Sequence, residues 1–261
     1  MKICTIPYDI VYASPEDNFS GVAHALSQVE TDTDVVVLPE LFTTAFIADE
    51  KTVATLAETN DGRTIETLKR WAQFFGFAIA GSFLATDGSG KYFNRAFFVE
   101  PLGDVTFYDK RHLFPLSTED KIYTGGKKEA PVVRFRGWNF KLIICFDLRF
   151  PVWCRNIPCD LYDVLLVPSN WPHSRHIPYK ILLTARAVEN QVYTVGANRS
   201  GSDPYGEYTR NDSAIYDNWG NAIHETRRNG FLYALFDRTE LEAGRSKFPA
   251  FKAADHWSLD L

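Results

Sequence analysis

A chain of 261 residues with 45% apolar and 15% aromatic side chains has material for a sizeable core, which excludes a disordered chain. Its formal charge of −5 argues against a nucleic-acid partner, because gripping phosphates takes concentrated Lys and Arg, and pairs such as Lys127-Lys128 are too short. The longest apolar run falls well short of the ~20 residues that a membrane span requires.

Strands and helices alternate along the chain. Residues 1–7 read as an edge-type opening strand without the apolar core of a signal peptide. Asn18 to Glu30 spaces Phe19, Val22, Ala23, Leu26 and Val29 as an amphipathic helix. Thr33 to Pro39 holds Val35-Val36-Val37-Leu38, a β-branched run too short for a helix. A second amphipathic helix is expected over Thr64 to Phe75, stopped by Gly76. Strands follow at Phe77–Leu84 and Asn94–Glu100, joined by the turn-rich Asp87-Gly88-Ser89-Gly90, and at Val105–Tyr108.

In the second half, Val132–Phe135 and Asn139–Ile144 flank a tight turn at Arg136-Gly137-Trp138. A strand over Asp163–Val167, a helix over Pro178–Asn190 and a strand over Val192–Ala197 come next. Ser213–Tyr216 and Ala222–Glu225 read as a hairpin across Asp217-Asn218-Trp219-Gly220; Phe231–Phe236 is expected to close the sheet, and Thr239–Gly244 to begin a last helix. No repeat or Gly/Ser-rich linker divides the chain, so one domain over residues 1–261 is expected. The fold class is α/β, with a mixed sheet system covered by helices.

The four cysteines (Cys4, Cys145, Cys154, Cys159) form no CxxC pair and no metal-ligand spacing, so no metal site is assigned. Reduced thiols in the cytoplasm are the simplest expectation. Cys154 and Cys159 read as structural thiols.

Three strand ends carry reactive side chains: Glu40 after Val35–Leu38, Lys110 after Val105–Tyr108, and Cys145 after Leu142-Ile143-Ile144. Each has an ordinary explanation. A carboxylate there can cap the next segment, a lysine beside an arginine can be solvated, and a cysteine can be an inert buried thiol. Jointly they say more, because strand ends of one sheet system converge on one crevice. A thiol must lose its proton to attack a carbonyl carbon, a nearby glutamate can take that proton, and a lysine with the Phe146 N–H can face the oxyanion. Each such donor is worth about 3 kcal/mol. A Cys–His protease pair is the rival arrangement, with His112 and His173 as its candidates, but no protease signature surrounds Cys145. His112 fits better as a hydrogen-bonding neighbour of Lys110.

Pro39-Glu40, Asp109-Lys110-Arg111-His112-Leu113-Phe114 and Cys145-Phe146-Asp147-Leu148-Arg149-Phe150-Pro151 resemble, in order and separation, the three signature segments of the nitrilase (carbon–nitrogen hydrolase) superfamily. The likeness continues through Ala185–Gln191 and Ala197–Gly201. It implies a four-layer α-β-β-α sandwich, paired between two subunits into eight layers. It also implies a Glu40 general base, a Lys110 oxyanion stabiliser, a Cys145 nucleophile and a second glutamate at Glu119, with no metal or organic cofactor. Cys145–Asn156 and Ser169-Asn170-Trp171-Pro172 most resemble the omega-amidases, which hydrolyse the terminal amide of 2-oxoglutaramate or 2-oxosuccinamate. A small-molecule amide substrate follows, with Asn170, Trp171 and Arg175 as binding residues and Arg175 as the cation for a far carboxylate. Trp171 and Arg175 are also explicable as packing and as a surface arginine. Arg149 is expected to hold the turn after the nucleophile through a carboxylate partner.

Overall fold

The computed structural model describes residues 1–157 and 161–255; Cys159, and with it the expectation of a structural thiol there, lies outside them. The first half runs β1 (Lys2–Thr5), α1 (Pro15–Leu26), β2 (Val35–Val37), α2 (Glu50–Leu56), α3 (Arg63–Phe75), β3 (Ala78–Thr86), β4 (Tyr92–Val99) and β5 (Val105–Asp109). Then come α4 (Glu119–Ile122), β6 (Val132–Phe135), β7 (Trp138–Leu142), a 3₁₀ turn over Cys145–Arg149, β8 (Val164–Ser169) and a 3₁₀ turn over His173–Arg175. The chain continues through α5 (His176–Asn190), β9 (Tyr193–Asn198), β10 (Gly201–Asp203), β11 (Gly206–Tyr208), β12 (Ala214–Tyr216), β13 (Glu225–Thr226), β14 (Leu232–Leu235) and α6 (Arg238–Lys247).

Local chemistry sets several boundaries. Pro15 opens α1 one turn before the apolar stripe, with Glu16 and Asp17 complementing the helix N-terminus. Gly76, left-handed at φ 78°, ends α3. The short α2 escaped sequence reading because only Val53 on it is buried, so it carries no apolar stripe; its signal is the Asp49 cap, which accepts from the Thr52 N–H.

Two sheets carry the fold, in the orders β13-β14-β1-β2-β3-β4-β5 and β12-β9-β8-β7-β6. Strand β1 is therefore interior, not the expected edge: β14 pairs with it antiparallel, Lys2 opposite Leu235, and β2 pairs on its other side. A pairing between the two ends of the chain leaves no local trace. Likewise β14 does not close the sheet but sits between β13 and β1. The Asp217–Gly220 turn forms, with Gly220 at φ 85°, but the second hairpin arm is cut short. After the Tyr216–Ala222 bridge the chain crosses to the other sheet as β13.

Side-chain alternation builds the layers. Val35 and Val37 enter the core between the sheets with Phe98, Phe140 and Leu142, whereas Val36, Cys4, Ile79 and Phe97 turn to Phe19, Val22, Leu68 and Ala72 of α1 and α3. Strand β8 is buried along its whole length, as a parallel strand covered on both faces must be, and Tyr179 and Leu183 of α5 join the same core. The order α1/α3, seven-stranded sheet, five-stranded sheet, α5 is the four-layer α-β-β-α sandwich.

This topology places the site. Strands β2 and β3 are parallel and two antiparallel steps separate β3 from β5, so β2 and β5 finish at one edge of their sheet. In the facing sheet β7 and β8 are parallel and also finish together. Glu40, Lys110, Cys145 and Asn170 follow those four strand ends.

Candidate active site

Past β2 the chain is held by the Leu38 N–H on the Ala80 carbonyl (2.8 Å) and turns at Leu41, whose φ is 48°. Glu40 is 3% exposed there and accepts three hydrogen bonds. Its Oε1 receives Asn94 Nδ2 (2.7 Å) and Lys110 Nζ (2.9 Å), and its Oε2 receives the backbone N–H of Asn170 (2.7 Å). Asn94 is oriented in turn by Ser82, whose hydroxyl donates to it at 2.9 Å.

Lys110 is 2% exposed and lies between two carboxylates. Besides Glu40 it donates to both oxygens of Glu119, at 2.9 and 3.0 Å. Glu119, the first residue of α4 and itself buried, also accepts from the Phe114 N–H at 2.7 Å. Burial alone pulls the ammonium pKa down, but Glu119 and then Glu40 outweigh it and hold Lys110 well above its ordinary value. The two carboxylates thus favour the charged form of the ammonium.

Cys145 opens the 3₁₀ turn at φ 42°, a left-handed conformation that costs a non-glycine residue on the order of 1–3 kcal/mol. It lines the same cavity as Glu40, Lys110 and Asn170, and the charges of Glu40 and Lys110 both act on its thiol. Burial, and secondarily the Glu40 charge, push the thiol well above the usual cysteine range. One ammonium already faces two carboxylates, so a resting thiolate would add a second uncompensated negative charge in a dry site.

Asp147 holds this turn. It is fully buried and accepts from the Ile144 N–H (3.1 Å), the Tyr108 hydroxyl (2.7 Å) and both the backbone N–H and Nδ1 of His112 (2.9 and 2.8 Å). One carboxylate therefore joins the Cys145 turn to the loop that carries Lys110. His112 serves Asp147 rather than Lys110, and its ring stacks on Phe150. The expected role for Arg149 fails: it is exposed, its guanidinium lies 5.0 Å from the Trp171 ring centroid, and it has no carboxylate in ion-pair range among the described residues. The arginine holding the turn is Arg186, buried on α5, with Nε and a terminal nitrogen on the Leu148 carbonyl at 3.1 and 2.8 Å. Sequence reading missed Asn94, Tyr108, Asp147 and Arg186 as site supports; none is at a strand end aimed outward.

A cavity of about 810 Å³ opens over these groups. Glu40, Lys110, Glu119, Cys145 and Phe146 line it together with Asn170, Trp171 and Arg175, so every candidate site residue meets in one space. Its rim adds Phe46, Phe114, Leu116, Arg149, Tyr205 and Tyr208. Trp171 is buried and donates Nε1 to the Arg175 carbonyl at 2.8 Å, while the exposed Arg175 guanidinium lies 5.2 Å from the Phe114 ring centroid. Both polar side-chain atoms of Asn170 are buried without a hydrogen-bond partner.

The pattern that defines the carbon–nitrogen hydrolases matches residues 3–245. The chain belongs to the carbon–nitrogen hydrolase family. It is 38% identical to the omega-amidase YafV of Escherichia coli (strain K12), covering 99% of this chain and 98% of that one. It is 32% identical to the 2-oxoglutaramate amidase of Bacillus subtilis (strain 168), covering 95% of each. Among solved structures, XC1258 from Xanthomonas campestris, a CN-hydrolase superfamily protein with an arsenic adduct in its active site, superposes with a TM-score of 0.91 at 31% identity, over 100% of this chain and 99% of that one. An amidase from Nesterenkonia sp. shares the fold with a TM-score of 0.81 at 23% identity, over 94% and 95% of the two chains.

Two measurements probe the electrostatics. Burial also pushes Cys4 and Cys154 up to about 12, so the thiolate absorbance of the wild type minus that of Cys145→Ser should show no step near the ordinary thiol pKa of about 8.5; a step there contradicts the site as described. Lys110→Met leaves Glu40 and Glu119 buried together without their cation and should cost about 3–5 kcal/mol in urea unfolding. Carboxyls raised in the folded variant favour folding at low pH and lose that advantage as pH rises. The deficit should therefore shrink in mild acid; a deficit independent of pH contradicts the charge argument.

Proposed function

We propose that this protein is an amidase that hydrolyses the terminal carboxamide of a small acid, with 2-oxoglutaramate and 2-oxosuccinamate as its substrates, releasing the 2-oxo acid and ammonia. The observation that carries the reading is that Cys145, Glu40 and Lys110 line one cavity, where the Glu40 carboxylate receives the Lys110 ammonium at 2.9 Å. Residues 1–261 are read as one such catalytic domain.

In the proposed mechanism Glu40 takes the thiol proton as the sulfur attacks the amide carbon. Lys110 and the Phe146 N–H, which lies in the first turn of the 3₁₀ segment where N–H groups lack internal acceptors, stabilise the oxyanion. Glu40 returns the proton to the leaving nitrogen, ammonia departs, and a thioester remains on Cys145. Glu40 then draws a proton from water, the hydroxide opens the thioester, and the acid leaves with the thiol restored. Glu119 keeps Lys110 aimed at the reacting carbon. None of these steps requires a metal or organic cofactor.

The acyl end of the cavity supports an acidic substrate. Arg149 and Arg175 both line it, each against an aromatic face and neither with a carboxylate partner among the described residues, so they offer charge to a ligand carboxylate. The unpartnered Asn170 carboxamide offers a donor and an acceptor to the 2-oxo group or the amide. Free thiols at Cys4, Cys145 and Cys154 accord with a cytoplasmic setting, and no described helix is long and apolar enough to cross a membrane.

We also propose a homodimer formed through α5. Ile177, Ile181 and Val188 are exposed on one stripe of that helix, and the exposed Trp219 lies beside it in the loop whose Gly220 approaches Val188. Back-to-back apposition of two such faces makes eight layers, as the family resemblance implies. Ile181→Glu should then halve the sedimenting mass while the circular dichroism is kept; an unchanged mass assigns the assembly elsewhere.

Ammonia release from a panel of 2-oxoglutaramate, glutamine, a nitrile and an N-carbamoyl amino acid tests the activity. The oxo-acid amide should turn over fastest, and Cys145→Ser should abolish turnover. Arg149→Ala and Arg175→Ala should each raise KM for the acidic amide about tenfold with kcat nearly kept, the cost of one charge-assisted hydrogen bond. Preference for the nitrile or the carbamoyl compound moves the assignment to another branch of the family, and no turnover of any favours a binding protein.

A further inference from the structure

We propose that His173, His176 and Asp212 form a binding site for a borderline divalent transition-metal ion such as zinc, beside the rim of the catalytic cavity. The two histidines come from the segment His173-Ser174-Arg175-His176, where a 3₁₀ turn runs into α5 and sets their rings face to face, centroids 4.6 Å apart and planes 9° from parallel. Asp212 reaches them from the 3₁₀ turn after β11. One donor atom from each residue lies within 4.8 Å of the other two.

Hydrogen bonding prepares the imidazoles for this role. His173 Nδ1 is 2.9 Å from Asp212 Oδ2, and His176 Nδ1 is 2.7 Å from the His173 carbonyl. A carbonyl only accepts, so His176 carries its proton on Nδ1 and keeps the Nε2 lone pair for a ligand. His173 Nδ1 faces the Asp212 carboxylate directly, so an ion held by that pair would take the place of the proton now between them. Metal-binding histidines are oriented as His176 is, one nitrogen tied to a carbonyl and the other open to the ion. Asp212 is 2% exposed, and His173 is the one side chain among the described residues that hydrogen-bonds its carboxylate. A buried carboxylate with so little compensation gains from a nearby cation.

Parallel rings do not aim their in-plane lone pairs at one point, so His173 must turn out of its stack on His176 to complete the set. Tetrahedral zinc–nitrogen bonds of about 2.05 Å put ligand atoms about 3.3 Å apart. The His173 side chain is 48% exposed and free to close the remaining gap. Two imidazoles and one carboxylate select zinc, cobalt, nickel or copper over magnesium and calcium, which prefer all-oxygen sets. The ion would sit outside the reacting centre, yet Arg175 lies between the two histidines in sequence and lines the cavity. Binding there would fix the backbone whose carbonyl anchors Trp171.

Cobalt(II) titration of untagged, chelator-treated Cys145→Ser protein tests the site, the substitution removing the catalytic thiol as a competing ligand. The expected result is a saturable ligand-field absorbance at one equivalent, displaced by zinc and not by magnesium. His173→Gln and His176→Gln should each weaken it at least tenfold, with circular dichroism unchanged. Absence of saturable binding, or binding indifferent to both substitutions, overturns the proposal. The readout is independent of turnover, so it stands or falls apart from the amidase assignment.

Discussion

A single ammonium placed between two carboxylates out of reach of water is the constraint around which the rest is organised. Lys110 neutralises one of the two negative charges and leaves the other to be carried by hydrogen bonds from Asn94, Asn170 and Phe114. Removing water makes each of these contacts stronger and each vacancy costlier. Such a cluster disfavours another anion, which is why the sulfur beside it is held toward the thiol form; in the proposed mechanism it gives up its proton as a bond to carbon forms. Activation by an adjacent base, rather than a standing thiolate, is the form of nucleophilic catalysis this balance permits.

Holding that cluster together is a matter of two sheets in register. Glu40 and Lys110 belong to one sheet, Cys145 and Asn170 to the other, and the apolar core from Val35 and Val37 to Phe140 and Leu142 fixes their approach. Asp147 and Tyr108 then bolt the two lips together, with Trp153 donating to the same Tyr108 hydroxyl at 2.8 Å. The left-handed Cys145 backbone is a strained conformation that this packing sustains.

Much of this was legible in the sequence, for physical reasons. Glu40, Lys110 and Cys145 announce themselves because each ends an apolar run, and strand ends in a layered α/β fold face ligands. The strands over 78–86, 92–99 and 164–169 follow from β-branched and aromatic runs bounded by turn residues. What was hidden depended on distance along the chain. The partner of β1 lies over 200 residues away, Arg186 reaches its carbonyl from a helix whose pattern signals only burial, and Arg149 looks like a turn-holding residue until the turn is seen to be held without it. Asp212 carries no local sign that it approaches His173.

The bolting of the two lips by Asp147 separates two tasks. The floor of the cavity is locked by groups that face inward, while Phe46, Leu116, Arg175 and Tyr205 come from segments that take no part in that lock. On the proposed reading, exchange of these outer side chains would retune which acyl chain is admitted without moving Glu40, Lys110 or Cys145. A scaffold wired in this way lends itself to diversification: new molecules can be accepted by redecorating the doorway while the machinery beneath stays as it is.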